Sequence, residues 1–154
     1  MTAITALKFS RDLAVAGPLG GLLADADSFA HHEWDAIVPV PLGRSRLIQR
    51  GFNQAEVLAE RARQARKLGG HRVAALRRLL RRRRATVAQH ELPLAARQAN
   101  VAGAFCPRGS VRGLRLLVID DVTTTGATLI ACLAALRRAG ARQVAGLALL
   151  RTLA

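Results

Sequence analysis

The spacing of apolar residues changes along the chain and predicts alternating helices and strands. Apolar residues between Ala55 and Ala62 recur at i, i+3, i+4 and i+7, the spacing of a helix with one buried face, and Gly69 ends the pattern. Ser10 can cap an earlier helix that continues to Leu23. The glycines and the proline inside this earlier helix are expected to kink or split it.

Short apolar runs without helical spacing predict the strands. The run at residues 36–41 contains two prolines, which are expected to end its strand in a loop. A brief strand is expected at 101–105, whereas residues 73–80 fit either a strand or a helix. Residues 116–119 and 144–150 flank a helical pattern and are predicted to be parallel strands joined by a right-handed crossover. The predicted fold class is α/β.

The composition is that of one globular domain. The chain has 154 residues, of which 51% are hydrophobic and 22% charged. We expect a single domain over residues 1–154, with a helical N-terminal segment at 1–34. Aromatic residues make up only 3% of the chain, so Leu, Ala, Val and Ile must form the core. No apolar run approaches the roughly 20 residues that span a bilayer, and the expected location is the cytoplasm.

The charge balance indicates affinity for polyanions. The chain carries 24 basic and 10 acidic residues, a net charge of +14. A solvated arginine-rich surface is the alternative to a nucleic-acid site, because few aromatic side chains are present for bases to stack on. Cys106 and Cys132 lie far apart without suitably spaced histidines, so we expect two buried thiols and neither a disulfide nor bound zinc.

The strongest chemical signal follows the apolar run at 116–119, which leads into two acids and a Thr/Gly loop that opens a helix. Backbone N–H groups of Thr124 to Thr128, together with the helix dipole, favour a bound phosphate, and Gly126 permits its close approach. Ligands of open α/β sheets bind at the carboxyl ends of strands, where Asp120 and Asp121 can accept hydrogen bonds from sugar hydroxyls. This pattern predicts a ribose 5-phosphate site. The alternative is local, with Asp120 capping a turn and Thr128 starting the helix.

Two segments resemble a known family. The sequence LLVIDDVTTTGATL, residues 116–129, resembles the phosphoribosyl diphosphate (PRPP) signature of type I phosphoribosyltransferases. The sequence VPVPLGRSRLIQRGFNQAEVLA, residues 38–59, is similar to the segment that marks the ComF/GntX branch, the competence-associated phosphoribosyltransferase-like proteins. Residues 85–89 and 97–105 resemble the middle region of that branch, and Lys8-Phe9 agrees as well. The resemblance implies a mainly parallel central sheet flanked by helices, with a flexible hood loop.

The resemblance also implies which residues form the site. Asp120 and Asp121 would hold the ribose hydroxyls, directly or through magnesium, and Arg50 is a third catalytic candidate. Asn53 is expected to cap the helix that follows, while Gln54 or Arg50 faces the ligand. The residues expected at the 5-phosphate are Thr123, Thr124, Thr125, Gly126, Ala127 and Thr128. The residues expected at the pyrophosphate are Pro41, Leu42, Gly43 and Arg44.

The expected pyrophosphate segment has a simple physical interpretation. Gly43 is expected to allow a turn, and Arg44 can pair with phosphate oxygens through a planar guanidinium that lysine lacks. Arg46 is a second candidate for the same role. For both arginines, a solvated surface position is the alternative.

Residues 81–100 correspond in position to the flexible hood that closes over the active site in type I phosphoribosyltransferases. The block Arg81–Arg84 can neutralise departing pyrophosphate or form a solvated charge run. Thr86 and Gln89 match the branch pattern, and His90 is a weak acid or base candidate. Closure would exclude water from a reactive ribosyl cation.

The activity implied by the resemblance is magnesium-dependent transfer of ribose 5-phosphate from PRPP to an acceptor that the sequence does not identify. Members of the branch commonly carry a four-cysteine zinc ribbon before the transferase domain, and the chain contains no such set, so both a truncated product and a naturally short member stay open. Two other functions also stay open: a PRPP- or nucleotide-binding module without turnover, and a basic DNA-handling factor with weak contacts to single-stranded DNA or a competence protein. No membrane insertion is expected, and a homodimer stays open.

Overall fold

The computed structural model describes residues 15–30, 33–83 and 94–151. Helices and strands alternate along these ranges, and none of the helices is long and apolar enough to cross a bilayer. In chain order the elements are α1 (Ala16–Ala24), α2 (Asp27–Ala30), β1 (Ala36–Pro39), α3 (Arg44–Arg50), α4 (Gln54–Leu68), β2 (Ala75–Leu76), β3 (Leu80–Arg82), α5 (Leu94–Val101), β4 (Phe105–Pro107), β5 (Arg115–Thr123), α6 (Ala127–Arg138) and β6 (Gln143–Arg151).

Four strands form a parallel sheet in the order β2-β1-β5-β6. The residues paired at the two ends of the central ladders are Ala36 with Leu116 and Pro39 with Ile119 for β1 and β5, and Arg115 with Gln143 and Thr123 with Arg151 for β5 and β6. Because parallel neighbours need crossover connections, helices cover the sheet. The predicted α/β class is confirmed, as is the parallel pairing of the last two strands.

A separate two-stranded antiparallel ladder joins β3 to β4. Residues 73–80, which fitted either a strand or a helix, therefore contain strand residues. Arg81 and Arg82 lie in the paired strand β3, at the start of the expected hood. The last part of the expected hood forms helix α5, which ends at Val101. The strand expected at 101–105 is therefore wrong, because the observed strand, β4, begins only at Phe105. Residues 84–93 lie outside the described ranges, and with them Thr86, Gln89 and His90.

The two faces of β5 are buried in different clusters. Leu116 and Val118 pack on the face that α6 covers, whereas Leu117 and Ile119 pack on the face that α1 and α4 cover. This alternation is the two-residue period of a strand, and burial on both faces is typical of a parallel sheet. Each such buried aliphatic side chain stabilises the fold by about 1.5–3 kcal/mol.

Helix α1 continues without a break from Ala16 to Ala24, so the expected kink or split is wrong. Pro18 lies in the first turn, where backbone N–H groups have no acceptor within the helix, so the proline removes no helical hydrogen bond. Gly20 is buried against α4, and a Cβ at this position would lie 2.9 Å from the backbone nitrogen of Ala62. The glycine therefore lets two helices approach closely. Ser10, the expected cap, lies outside the described ranges.

The two neighbouring glycines of α1 provide a test of this close approach. Gly20→Ala should destabilise the protein by about 1–3 kcal/mol, because the added methyl group overpacks the contact with α4. Gly21→Ala is the matched control: nothing lies within 4 Å of its Cβ position, so better helix propensity should stabilise the protein by about 0.5–1 kcal/mol. Urea denaturation of both variants measures the difference. Equal changes in the free energy of unfolding of the two variants would contradict the close packing of Gly20 against α4.

Candidate functional site

The two predicted ligand loops lie at one edge of the sheet. Strands β1 and β5 are parallel neighbours, and the Val40 N–H donates to the Ile119 carbonyl at 2.9 Å, so their carboxyl ends lie side by side. Residues 40–43 form the β1–α3 loop, and residues 124–126 form the β5–α6 loop. The expected pyrophosphate and 5-phosphate segments therefore belong to neighbouring loops at the carboxyl edge.

Asp120 and Asp121 lie within β5, which continues to Thr123, so the expectation that the strand ends at the two acids is wrong. Pairing with β6, which is longer than β1, explains the extension, because Asp120 is in register with Ala148 and the pairing continues to Thr123. Successive side chains of a strand alternate between faces. Asp120 therefore projects to the face of α6, and Asp121 projects to the face of α4.

The charges around each acid agree with this division. Burial raises the pKa of the Cys132 thiol on α6, Asp120 raises it further, and the guanidinium of Arg82 lowers it. Burial lowers the pKa of Arg50, whereas the nearby Asp121 carboxylate raises it and Arg46 lowers it. Arg50 is thus within electrostatic range of Asp121, and Cys132 is within electrostatic range of both Asp120 and Arg82.

Local hydrogen bonds orient both carboxylates. One oxygen of Asp120 accepts from the Asp121 N–H at 2.9 Å, and one oxygen of Asp121 accepts from the Val122 N–H at 2.7 Å. Both side chains are half-buried at the carboxyl edge. Their positions are therefore set before any ligand binds.

The β5–α6 loop turns at Gly126, which is the N-cap of α6 and has a φ of 76°. Such a left-handed conformation favours glycine. The Ala127 N–H donates to the hydroxyl of Thr125 at 3.3 Å, so this one amide is engaged inside the loop. The first turn of α6 carries no acidic side chain, which leaves the positive end of the helix dipole suited to an anion.

The β1–α3 loop differs from expectation at Gly43. This residue is the N-cap of α3 with φ −63° and ψ 146°, an extended conformation that any residue adopts. The expected contribution of Gly43, to allow a turn, therefore makes no use of glycine's conformational freedom. Arg44 starts α3 and is exposed, whereas Arg46 is half-buried. Gly51, with a φ of 81°, ends α3 and redirects the chain into α4.

Asn53 caps α4 as predicted, because its side chain accepts a hydrogen bond from the Ala55 N–H at 3.1 Å. Its amide group also donates to the Val40 carbonyl at 2.9 Å, a contact between distant segments that the sequence did not indicate. This bond ties the end of β1 to the start of α4. Gln54 is only 2% exposed, so Arg50 is the better placed of the two candidates to face a ligand.

The two thiols differ in burial. Cys132 is buried in the cluster between the sheet and α6, as expected, but Cys106 on β4 is only partly buried. Both are free cysteines.

The acids at the carboxyl edge fit a magnesium ion in their chemistry. Mg²⁺ is held by hard oxygen ligands, usually one or two carboxylates together with substrate phosphates and water. Because Asp120 and Asp121 project to opposite faces, one of the two would supply a carboxylate to such an ion. Within the described ranges, no group of three or more His, Cys, Asp and Glu residues is arranged to hold a metal. A magnesium ion here would take its remaining ligands from a bound phosphate compound and water.

The two N-cap glycines provide a test of the loop geometry. Gly126→Ala should destabilise the protein by about 1–2 kcal/mol, because an L-residue is strained at its positive φ. Gly43→Ala is the control, since it also changes an N-cap but at an ordinary φ, and its free energy of unfolding should stay close to that of the wild type. Chemical denaturation measures both. A neutral Gly126→Ala variant would contradict the left-handed turn.

Sequence comparison identifies relatives with names linked to DNA. The chain is 37% identical over 152 residues to the DNA utilization protein YhgH of Salmonella typhi, a match that covers 96% of this chain and 65% of that protein. It is 35% identical over 113 residues to Competence protein F of Haemophilus influenzae, covering 71% of this chain and 47% of that protein. The chain thus spans about two thirds or less of these relatives' lengths. No protein-family model matches it.

Structural comparison identifies the fold. Glutamine PRPP amidotransferase from B. subtilis superimposes with a TM-score of 0.55 at 23% identity, covering 87% of this chain and 26% of that one. This likeness supports the fold alone. Together with the two sequence relatives, it confirms the family expected from the motifs: the chain is a ComF-like protein with the type I phosphoribosyltransferase fold.

Proposed function

We propose that the chain binds PRPP together with Mg²⁺ and transfers ribose 5-phosphate to an acceptor nucleophile. One observation carries this proposal: the β1–α3 and β5–α6 loops lie side by side at the carboxyl edge, where β5 also presents two carboxylates oriented by backbone N–H groups. A compound with a phosphate at one end, a vicinal diol and a second phosphate group matches this arrangement. PRPP has these three features.

In the proposed reaction, the acceptor attacks C1 of the ribose and the C1–oxygen bond to pyrophosphate breaks. The β5–α6 loop holds the 5-phosphate, and the carboxylates of Asp120 and Asp121 accept hydrogen bonds from the ribose hydroxyls. Arg50, beside Asp121, stabilises negative charge near the sugar. These groups act by positioning and charge stabilisation, and no covalent nucleophile is needed. Bound magnesium would neutralise the leaving pyrophosphate.

A second candidate function is DNA handling, which the names of YhgH and Competence protein F suggest. The observation that favours it lies at the opposite edge of the sheet. Helices α4 and α6 both end there, and so do the loops that lead into β2, β5 and β6. In the described part of the chain, the basic residues at this amino edge are Arg66, Lys67, Arg72, Arg112, Arg115, Arg137, Arg138 and Arg142.

Acidic side chains offset little of this charge. Glu33 and Asp35 lie at the amino edge, and both form ion pairs with Arg115, at 3.3 and 3.1 Å. The two acids also line a cavity of about 610 Å³, together with Trp34 and His71. Basic groups next to an aromatic ring are the chemistry that binds single-stranded nucleic acid. We therefore place the proposed DNA contact at the amino edge, away from the PRPP site.

PRPP binding tests the first proposal. Calorimetry should show that PRPP binds more tightly with Mg²⁺ than without it, and that Asp121→Asn weakens PRPP binding tenfold or more because a charged acceptor is removed. Asp25→Asn is the control, because it makes the same charge change at an exposed position after α1. Pyrophosphate release across a panel of acceptors then separates a transferase from a binding module. Absence of PRPP binding by the wild-type chain would reject the proposal.

Single-stranded DNA binding tests the second. Trp34 is the single tryptophan, so its fluorescence should change when oligo(dT) binds at the amino edge. Arg137→Gln/Arg138→Gln should reduce the slope of log affinity against log salt by about 0.7 for each phosphate that the variant no longer neutralises. Arg81→Gln/Arg83→Gln removes the same charge from an exposed part of β3 and its flank. Equal slopes for the two double variants would exclude the amino edge as the binding surface.

A further inference from the structure

The β3–β4 ladder separates the arginines of the basic block. Arg81 lies opposite Cys106 and Arg82 lies opposite Phe105, so the two neighbouring side chains project to different sides of the ladder. Arg81 is exposed, and its Nε donates to the Cys106 sulfur at 3.0 Å. Arg82 is half-buried, and its guanidinium carbon lies 5.5 Å from the centre of the Phe105 ring. Arg81 and Arg82 therefore have different surroundings although they are adjacent in the sequence.

The Arg82 side chain extends to the expected pyrophosphate loop. A Cβ placed on Gly43 would lie 3.5 Å from Nη1 of Arg82 and 3.9 Å from its Cδ. Arg82 lies over the ring of Phe105, and Phe105 packs with Cys132 in the cluster on the α6 face of the sheet, the face to which Asp120 projects. The guanidinium thus lies beside Gly43, the last residue of the β1–α3 loop, on the side of the site that Asp120 occupies.

The buried ring of Phe105 limits the position of this guanidinium. Phe105 is only 4% exposed and belongs to the core cluster that contains Val40 and Val118, residues of β1's end and of β5. A cation over an aromatic ring is attracted to its face, and a rigid ring limits where the cation can move. Arg82 is therefore oriented before a ligand arrives, which lowers the entropy cost of binding.

We propose that Arg82 holds the pyrophosphate group of PRPP against the β1–α3 loop, a role that rests on the proposed function. A planar guanidinium can donate two parallel hydrogen bonds to phosphate oxygens and still stack on Phe105. Gly43 suits this role because it carries no side chain toward Arg82. Arg81 and Arg83 are exposed on the ladder and its flank, so the geometry selects Arg82 from the described members of the block.

Calorimetry with three ligands in magnesium buffer tests this role: PRPP, inorganic pyrophosphate and ribose 5-phosphate. Arg82→Gln should weaken binding of PRPP and pyrophosphate tenfold or more, since it removes charge-assisted hydrogen bonds. Its affinity for ribose 5-phosphate should stay within about twofold of the wild type. Arg81→Gln is the matched control, with the same charge change on the adjacent residue, and should leave all three affinities within about twofold.

Arg82→Lys provides a second variant in which the charge is retained. It should bind pyrophosphate less tightly than the wild type but more tightly than Arg82→Gln, because lysine lacks the planar fork. Thermal melts check that each variant is folded. Equal weakening in Arg82→Gln and Arg81→Gln, or an equal weakening of all three ligands in Arg82→Gln, would overturn the assignment while leaving PRPP binding by the wild type intact. A wild-type chain that binds no PRPP would overturn the proposed function itself.

Discussion

The parallel pairing of β5 with both of its neighbours determines the rest of the structure. This strand is buried on both faces, so its residues must alternate between the cluster under α6 and the cluster under α1 and α4. The same alternation continues into the acids, which places Asp120 and Asp121 on opposite faces. A register shift of one residue would exchange these faces for the core side chains and for the two acids alike. Core packing and site geometry therefore depend on one register.

Contacts at the carboxyl edge fix the positions of the β1–α3 and β5–α6 loops. Asn53 caps α4 with one side-chain atom and holds the Val40 carbonyl with another, so one residue joins a helix start to a strand end. Gly126 supplies the left-handed turn by which the chain leaves β5 and enters α6. Side-chain hydrogen bonds thus anchor the first loop and backbone geometry anchors the second, both close to the ladder, an arrangement that would preorganise the proposed site for a charged ligand.

Features that depend on neighbouring residues could be predicted from the sequence, and features that depend on distant ones could not. The β5–loop–α6 unit and the Asn53 cap follow from local patterns. The extension of β5 to Thr123 involves pairing with β6, and the close packing at Gly20 involves α4, so both depend on residues far away in the sequence. The arginine block offered no basis for choosing one member, because only the pairing with β4 places Phe105 under Arg82.

Charge alone does not distinguish the two anions proposed as ligands. A chain with a net charge of +14 attracts any polyanion, and such attraction weakens as salt increases. Discrimination must come from groups held in place. A buried ring orients one guanidinium at the carboxyl edge, whereas most of the basic side chains at the amino edge are exposed. The first arrangement suits a compact pyrophosphate, since two oriented donors can match its oxygens. The second suits an extended strand, whose many phosphates need charge without fixed geometry. Because the two edges lie at opposite ends of the same strands, the two proposed ligands would occupy separate surfaces.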